Sequence, residues 1–195
     1  MTGAAITRDD ILPIDDYVRR RKDYRRRLID LKRHRRVEVG PYATFYFENR
    51  ETILGQIHEM LYIERGGEEQ IAGELEAYAP LVPNGRELVA TLMLEIPEER
   101  RRRQVLAGLG GIEDTVTMGV EGLVIQAVAE RDVERTTADG KTSSVHFLHF
   151  PFTDEHVALF RRPGAAVVLG IAHPAYGHMA ILPDTVKTVL AGDFA

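Results

Sequence analysis

Along residues 14–35 the apolar side chains return every three to four positions. On a wheel of 100° per residue with Tyr17 at the origin, Ile14, Tyr24, Leu28 and Leu31 fall between about −40° and 60°. Arg19, Arg26, Asp30 and Arg33 lie opposite. The pattern predicts one long helix over 14–35, with Pro13 in its first turn, where a missing N–H does no harm. The period then shortens. Segments 37–39 and 43–48 read as strands around Gly40–Pro41. Asn49 is a helix N-cap, opening a helix over 50–65 that Gly66–Gly67 ends, and a second helix follows over 68–78. In the second half, strands are predicted over 87–96, 115–121, 123–135, 143–150, 165–172 and 179–182. The "DG" at 139–140 marks a hairpin. Helices are predicted after Pro97, from Thr153 to about 160, and after Pro183. Residues 1–80 are helix-rich and 81–195 sheet-rich, read together as a single domain over 1–195. Short connections and hairpins predict an α+β fold: a mostly antiparallel sheet from the second half, covered by the long N-terminal helix and the helix after "FENR".

Composition narrows the chemistry. Hydrophobic residues make up 44% and charged residues 28%, enough for a sizeable core without staples. Cysteine is absent, which excludes disulfides, thiolate nucleophiles and Cys-held zinc or iron–sulfur clusters. No apolar run is long enough to span a membrane, and "MTGAAITRDD" lacks the charged and apolar regions of a secretory signal, so a cytoplasmic protein is expected. The net charge of −5 is unevenly placed: residues 1–36 hold twelve Lys/Arg against six Asp/Glu, and the remainder is acidic. An acidic molecule is a poor general binder of nucleic acid. A basic segment beside an acidic body also suits docking onto a second copy, as an isologous homodimer.

Two arginines break the pattern of the first helix, Arg21 at 40° and Arg35 at 0°, inside the apolar stripe. A buried guanidinium requires a carboxylate, a ligand oxyanion or a route to solvent. Arg35, near the helix end, is expected to reach solvent; Arg21 is the better candidate for holding an anion. The "FENR" corner adds a second candidate. A strand running straight into a helix N-terminus presents backbone N–H groups and a positive dipole end, suited to an anion, with Asn49 and Arg50 beside it. On the wheel of this helix Arg50 and Glu64 fall within the apolar stripe, so an internal network of Arg21, Glu64 and Arg50 is the competing expectation. Glu51, His58 and Tyr62 cluster on the other side and read as an exposed polar face.

The seven histidines invite a metal reading. His146 and His149 point to opposite faces of one strand. "HPAYGH" reads as a loop that can bring His173 and His178 together on a divalent metal; no other cofactor is predicted.

"ITRDDILP" (6–13), "KRHRRVEVGP" (32–41), "FENRETILGQIHEML" (47–61), "DGKTSSVHFLHF" (139–150) and "HPAYGH" (173–178) together resemble a bacterial family that is a domain of unknown function. The resemblance covers nearly the whole chain. Its members are encoded near rubrerythrin-like and iron–sulfur oxidoreductase proteins, which implies a redox or oxidative-stress setting. It assigns no catalytic residue. The expectation is therefore a non-enzymatic accessory module binding an acidic small ligand or a partner protein near Arg21, Asn49, Arg50 and Glu64. The alternative is a metal-dependent enzyme or sensor using His173 and His178.

Overall fold

The structure is a computed structural model and describes residues 5–130, 136 and 140–195. A 3-10 turn (Arg8–Asp10) leads into α1 (Ile14–Arg33), then β1 (Arg36–Val39), β2 (Ala43–Phe47), α2 (Arg50–Glu64) and α3 (Glu68–Tyr78). The second half holds β3 (Glu87–Leu94), α4 (Glu99–Ala107), β4 (Val116–Val120), β5 (Leu123–Gln126) and β6 (Val128–Ala129). It continues with β7 (Val145–Pro151), α5 (Asp154–Arg161), β8 (Val167–His173), β9 (Tyr176–Ile181) and α6 (Asp184–Ala191).

The α+β class and the antiparallel pairing are as expected, but there are two sheets. One runs β1-β2-β3-β7-β6 and the other β5-β4-β8-β9. The first therefore draws two of its strands from the helix-rich half. The segment predicted as one strand over 123–135 is divided at Ala127: β5 pairs with β4 and β6 pairs with β7, so the chain passes from one sheet to the other. Alternation alone cannot show such a switch, because the period of two continues through it. Residues 131–135 and Asp139 of the predicted hairpin lie outside the described residues.

The inner faces of the two sheets pack on each other. Phe45, Phe47, Leu88, Leu92, Leu148 and Phe150 from the first meet Val116, Met118, Ile125, Leu169 and Ile171 from the second, all buried. The seam between β9 and the β1–β2 turn is closed by Tyr176. Its hydroxyl donates to Val39 O at 2.8 Å and accepts from the N–H groups of Tyr42 and Ala43 at 2.8 and 2.9 Å. A second apolar cluster covers the outer face of the first sheet, where Val89 meets Ile53, Ile57 and Leu61 of α2 and Ile71 of α3.

The long helix packs on α2, with α2 between it and the sheet. At their crossing Gly55 takes the place of a side chain: a Cβ there would stand 2.3 Å from Leu28 Cδ1. Thus α2 is buried on two sides, by the sheet and α3 through Ile53, Ile57 and Leu61, and by α1 through Gly55 and His58. The expectation of an exposed face at Glu51, His58 and Tyr62 is corrected accordingly; His58 is 2% exposed. A one-stripe wheel assumes a surface helix and fails for a helix sandwiched between two partners. No helix among the described residues is long and apolar enough to cross a membrane.

Candidate functional site

The first helix ends two residues earlier than its periodicity predicts, with His34 as its C-cap. Arg35 therefore leaves the helix wheel and turns inward at the corner between β2 and α2. It is 2% exposed, so the expected route to solvent is not taken. Its guanidinium donates to Phe47 O and Glu48 O, each at 2.9 Å, and forms a paired bond to Asp193, with Nη1 to Oδ1 at 3.2 Å. Burial pushes the Asp193 carboxyl above its ordinary value, against the pull of Arg35.

The rest of the "FENR" corner is equally engaged. The Asn49 side chain accepts from Thr52 N at 2.9 Å, and the Thr52 hydroxyl accepts from Asn49 N at 2.9 Å. The buried Glu48 carboxylate takes the hydroxyls of Thr52 and Thr91 at 2.5 and 2.7 Å. The side chains of this corner are thus paired with one another inside the chain. Arg50 is paired with Asp10 at 2.6 Å.

The predicted network of Arg21, Glu64 and Arg50 does not form. Arg21 makes a two-point contact with Glu59, at 2.9 and 2.8 Å, and lies 4.2 Å above the Tyr62 ring. Glu64 accepts from the Gln70 side chain at 2.7 Å. The reason is the sandwiched position of α2. Its α1-facing side presents Glu59, whereas Glu64 lies at the helix end beside α3. The guanidinium of Arg21 holds the Glu59 carboxyl below its usual range.

A different cluster lies about two helical turns along α2. The Tyr17 ring is fully buried, stacks on His58 with centroids 4.9 Å apart, and donates its hydroxyl to Glu59 at 2.5 Å. His58 accepts from Leu12 N–H at 3.0 Å through Nε2 and donates through Nδ1 to Leu54 O at 2.9 Å. That pairing assigns the neutral tautomer, and burial lowers its pKa. Tyr17 and His58 line a groove of about 590 Å³ between the segment Ile11–Pro13, α1, α2 and α3. Its walls are mostly apolar, from Ile11, Pro13, Val18, Leu61 and Ile71; Tyr62, Arg65 and Glu68 line it as well, and Glu68 is paired with Arg8 at 2.7 Å. Arg65 is exposed and has no carboxylate partner among the described residues. Its φ is 56°, the left-handed conformation that usually selects glycine at a helix C-terminus. Residues 5–194 match the family model named DUF3501, whose description is "protein of unknown function". The chain belongs to that family. A crystal structure from Burkholderia pseudomallei, described as a novel protein of unknown function, is 40% identical and has a TM-score of 0.90. The match covers 98% of this chain and 100% of that one. No curated protein matches this DUF3501 chain.

His173 and His178 stand apart from the groove. "HPAYGH" is a tight hairpin, with His173 paired to Tyr176 across Pro174–Ala175, and not a loop. His173 and His178 lie on one face of this ribbon at diagonal positions. Their rings face different neighbours: His173 lies 3.3 Å from Gly110 O, and His178 packs on Tyr176 beside Gly40. Among the described residues no group of three or more His, Asp or Glu side chains is placed to hold a metal ion.

His149 is engaged on both sides, with Nδ1 2.9 Å from Glu87 and Nε2 2.8 Å from Glu130. Both bonds require both ring nitrogens to be protonated. The hydrogen bond and charge of Glu87, helped by Glu130, raise its pKa above the ordinary 6.5 despite burial. Its contribution to stability is therefore fully present below pH 6.5 and is lost as pH rises through the folded-state value. NMR titration of the His149 ring should give a midpoint above 6.5, and His149→Gln should flatten the alkaline fall in stability. A midpoint at or below 6.5 contradicts the bridging geometry.

The groove could have been suspected from two signals: an internal glycine in α2, Gly55, which marks close packing, and the aromatic–imidazole set Tyr17, His58 and Tyr62 at matching helical spacings. The excess charge of α1 pointed elsewhere. Arg19, Arg26 and Arg33 pair with Asp16, Asp23 and Asp30 one turn before them, an ordinary solvated face.

Proposed function

We propose that this DUF3501 chain is a cytoplasmic, non-catalytic binding module whose ligand is a small molecule with an apolar body and an acidic head. The body lies along Ile11, Val18, Leu61 and Ile71, and the head meets Arg65. The observation that carries this reading is Arg65 itself, an exposed arginine held in a left-handed conformation on a mostly apolar groove whose one lining carboxylate, Glu68, is already paired with Arg8. A side chain at that position costs about 1 kcal/mol relative to glycine. Two glycines follow at once, so the local chain is not short of them. Backbone strain kept where glycine would relieve it is a mark of function. The redox or oxidative-stress setting is part of the proposal and rests on the family resemblance.

Calorimetric titration with octanoate and with 1-octanol tests it. Octanoate should bind about tenfold more tightly than the alcohol, a difference near 1.4 kcal/mol for one exposed charge contact. Arg65→Gly should erase that difference while raising the melting temperature. Val18→Glu, at a half-exposed wall position, should abolish binding of both. Equal affinity of the two probes for the unaltered protein, or no binding of either, contradicts the reading.

A further inference from the structure

One wall of the groove, Ile11, Leu12 and Pro13, belongs to no helix or strand. Two side chains bond to its backbone. Arg8, just before it in the chain, donates to Ile11 O at 3.2 Å, and His58 of α2 accepts from Leu12 N–H at 3.0 Å. The other ring nitrogen of His58 donates to Leu54 O, a carbonyl of the same helix, so that proton is committed. The bond to Leu12 therefore depends on a lone pair at Nε2. A proton added there sets two donors against each other, and one must leave. His58 is the fixed partner, set in the middle of α2 with its ring stacked on Tyr17 and the edge of Tyr24 at 5.7 Å. The irregular wall is the part that can move.

We infer that His58 is a latch released by protonation: its lone pair holds Ile11–Pro13 as a wall of the groove, and a second ring proton lets that wall go. Among the described residues no carboxylate pairs with the charged ring in place of Leu12. On α2, Glu59 is held by Arg21 and Tyr17. On the N-terminal turn Asp10 is paired with Arg50, and on α3 Glu68 is paired with Arg8. The other titratable groups around the ring and the groove are the phenols of Tyr17, Tyr24 and Tyr62 and the cation Arg65, none of which offers it a negative charge. His149 is the opposite case, charged between two carboxylates. Burial holds His58 below its ordinary 6.5 while the wall is closed, and opening hydrates the ring. Opening thus takes up a proton: the wall is closed above pH 6.5 and opens progressively below it. The bond of Thr7 N–H and the charge of Arg50 hold the Asp10 carboxyl below its ordinary 3.8, so the Asp10–Arg50 link persists through this window.

Amide exchange of the full chain, followed by NMR at about pH 7.5 and 5.5 and corrected for the intrinsic rates, tests the inference. Protection of Leu12 N–H should fall several-fold, up to about tenfold, the limit for one site that opens to a value of 6.5. Amides of β3 should keep theirs. The fall should follow the titration of the His58 ring, with a midpoint below 6.5. His58→Gln keeps an uncharged acceptor and should make Leu12 protection independent of pH. A second consequence rests on the reading of the groove given above. 1-Octanol, which has no charge to answer that of the ring, should bind more weakly at pH 5.5 than at 7.5, and equally at both in His58→Gln. Failure of octanol to bind at either pH counts against that reading, while the exchange data still decide the latch. Leu12 protection within twofold at the two pH values overturns the inference. So does a His58 midpoint at or above 6.5, or an equal fall in His58→Gln.

Discussion

Arg35→Ala should destabilise the protein by about 3–5 kcal/mol, the largest effect expected of any charged residue in the chain. The mutation leaves Asp193 buried beside a void, and two carbonyls, Phe47 O and Glu48 O, lose their donor. The loss comes from the group left behind rather than from the strength of the pair. Replacing both partners, Arg35→Met with Asp193→Leu, should therefore recover the part due to the buried charge, since an apolar pair leaves none to desolvate, while the two carbonyls stay without this donor. Urea unfolding of the two single variants and the double variant measures this directly. If Arg35→Ala cost less than about 1 kcal/mol, the guanidinium would have to be hydrated and the corner open.

The second large effect is expected at Tyr17. Tyr17→Ala should cost about 3–5 kcal/mol, as for other fully buried aromatic rings. Tyr17→Phe should cost only about 0.5–1.5 kcal/mol, because Glu59 keeps both bonds to Arg21 when the hydroxyl is gone. The contrast assigns the role of the residue to its ring. That ring is packed between α1 and His58 and lines the groove. Octanoate binding should accordingly survive in the phenylalanine variant and be lost in the alanine variant. Similar destabilisation by both would instead make the Glu59 contact the essential one.

The sequence made the α+β class legible because most elements announce themselves. Pro13, Asn49 and Thr153 begin helices where predicted, and α3 has the predicted bounds. The candidate site was less legible, for two physical reasons. A wheel with one buried side places Glu51, His58 and Tyr62 on the surface, whereas α2 is buried on two sides and encloses His58. The charged residues inside apolar stripes were correctly singled out as needing partners, but a wheel says nothing about which partner another element supplies. Arg21 met Glu59, Arg50 met Asp10, and Arg35 met a residue near the other end of the chain. The groove arises from four segments meeting, and the place of Arg65 on it depends on the backbone conformation of that single residue, which no periodicity encodes.

The bond between Arg35 and Asp193 spans 158 positions of sequence. During synthesis the ribosome releases residues 35–52 long before residue 193 exists. Until it emerges, Arg35 at the corner between β2 and α2 lacks the carboxylate it pairs with, and water takes its place. The early helices can pair and fill their own cluster, but the corner is completed only after the segment around Asp193 has left the exit tunnel. A nascent or clipped chain lacking Asp193 would therefore hold nearly all its secondary structure and still be marked by a hydrated, protease-accessible corner. The presence of a segment 158 positions downstream is in this way reported at the corner between β2 and α2.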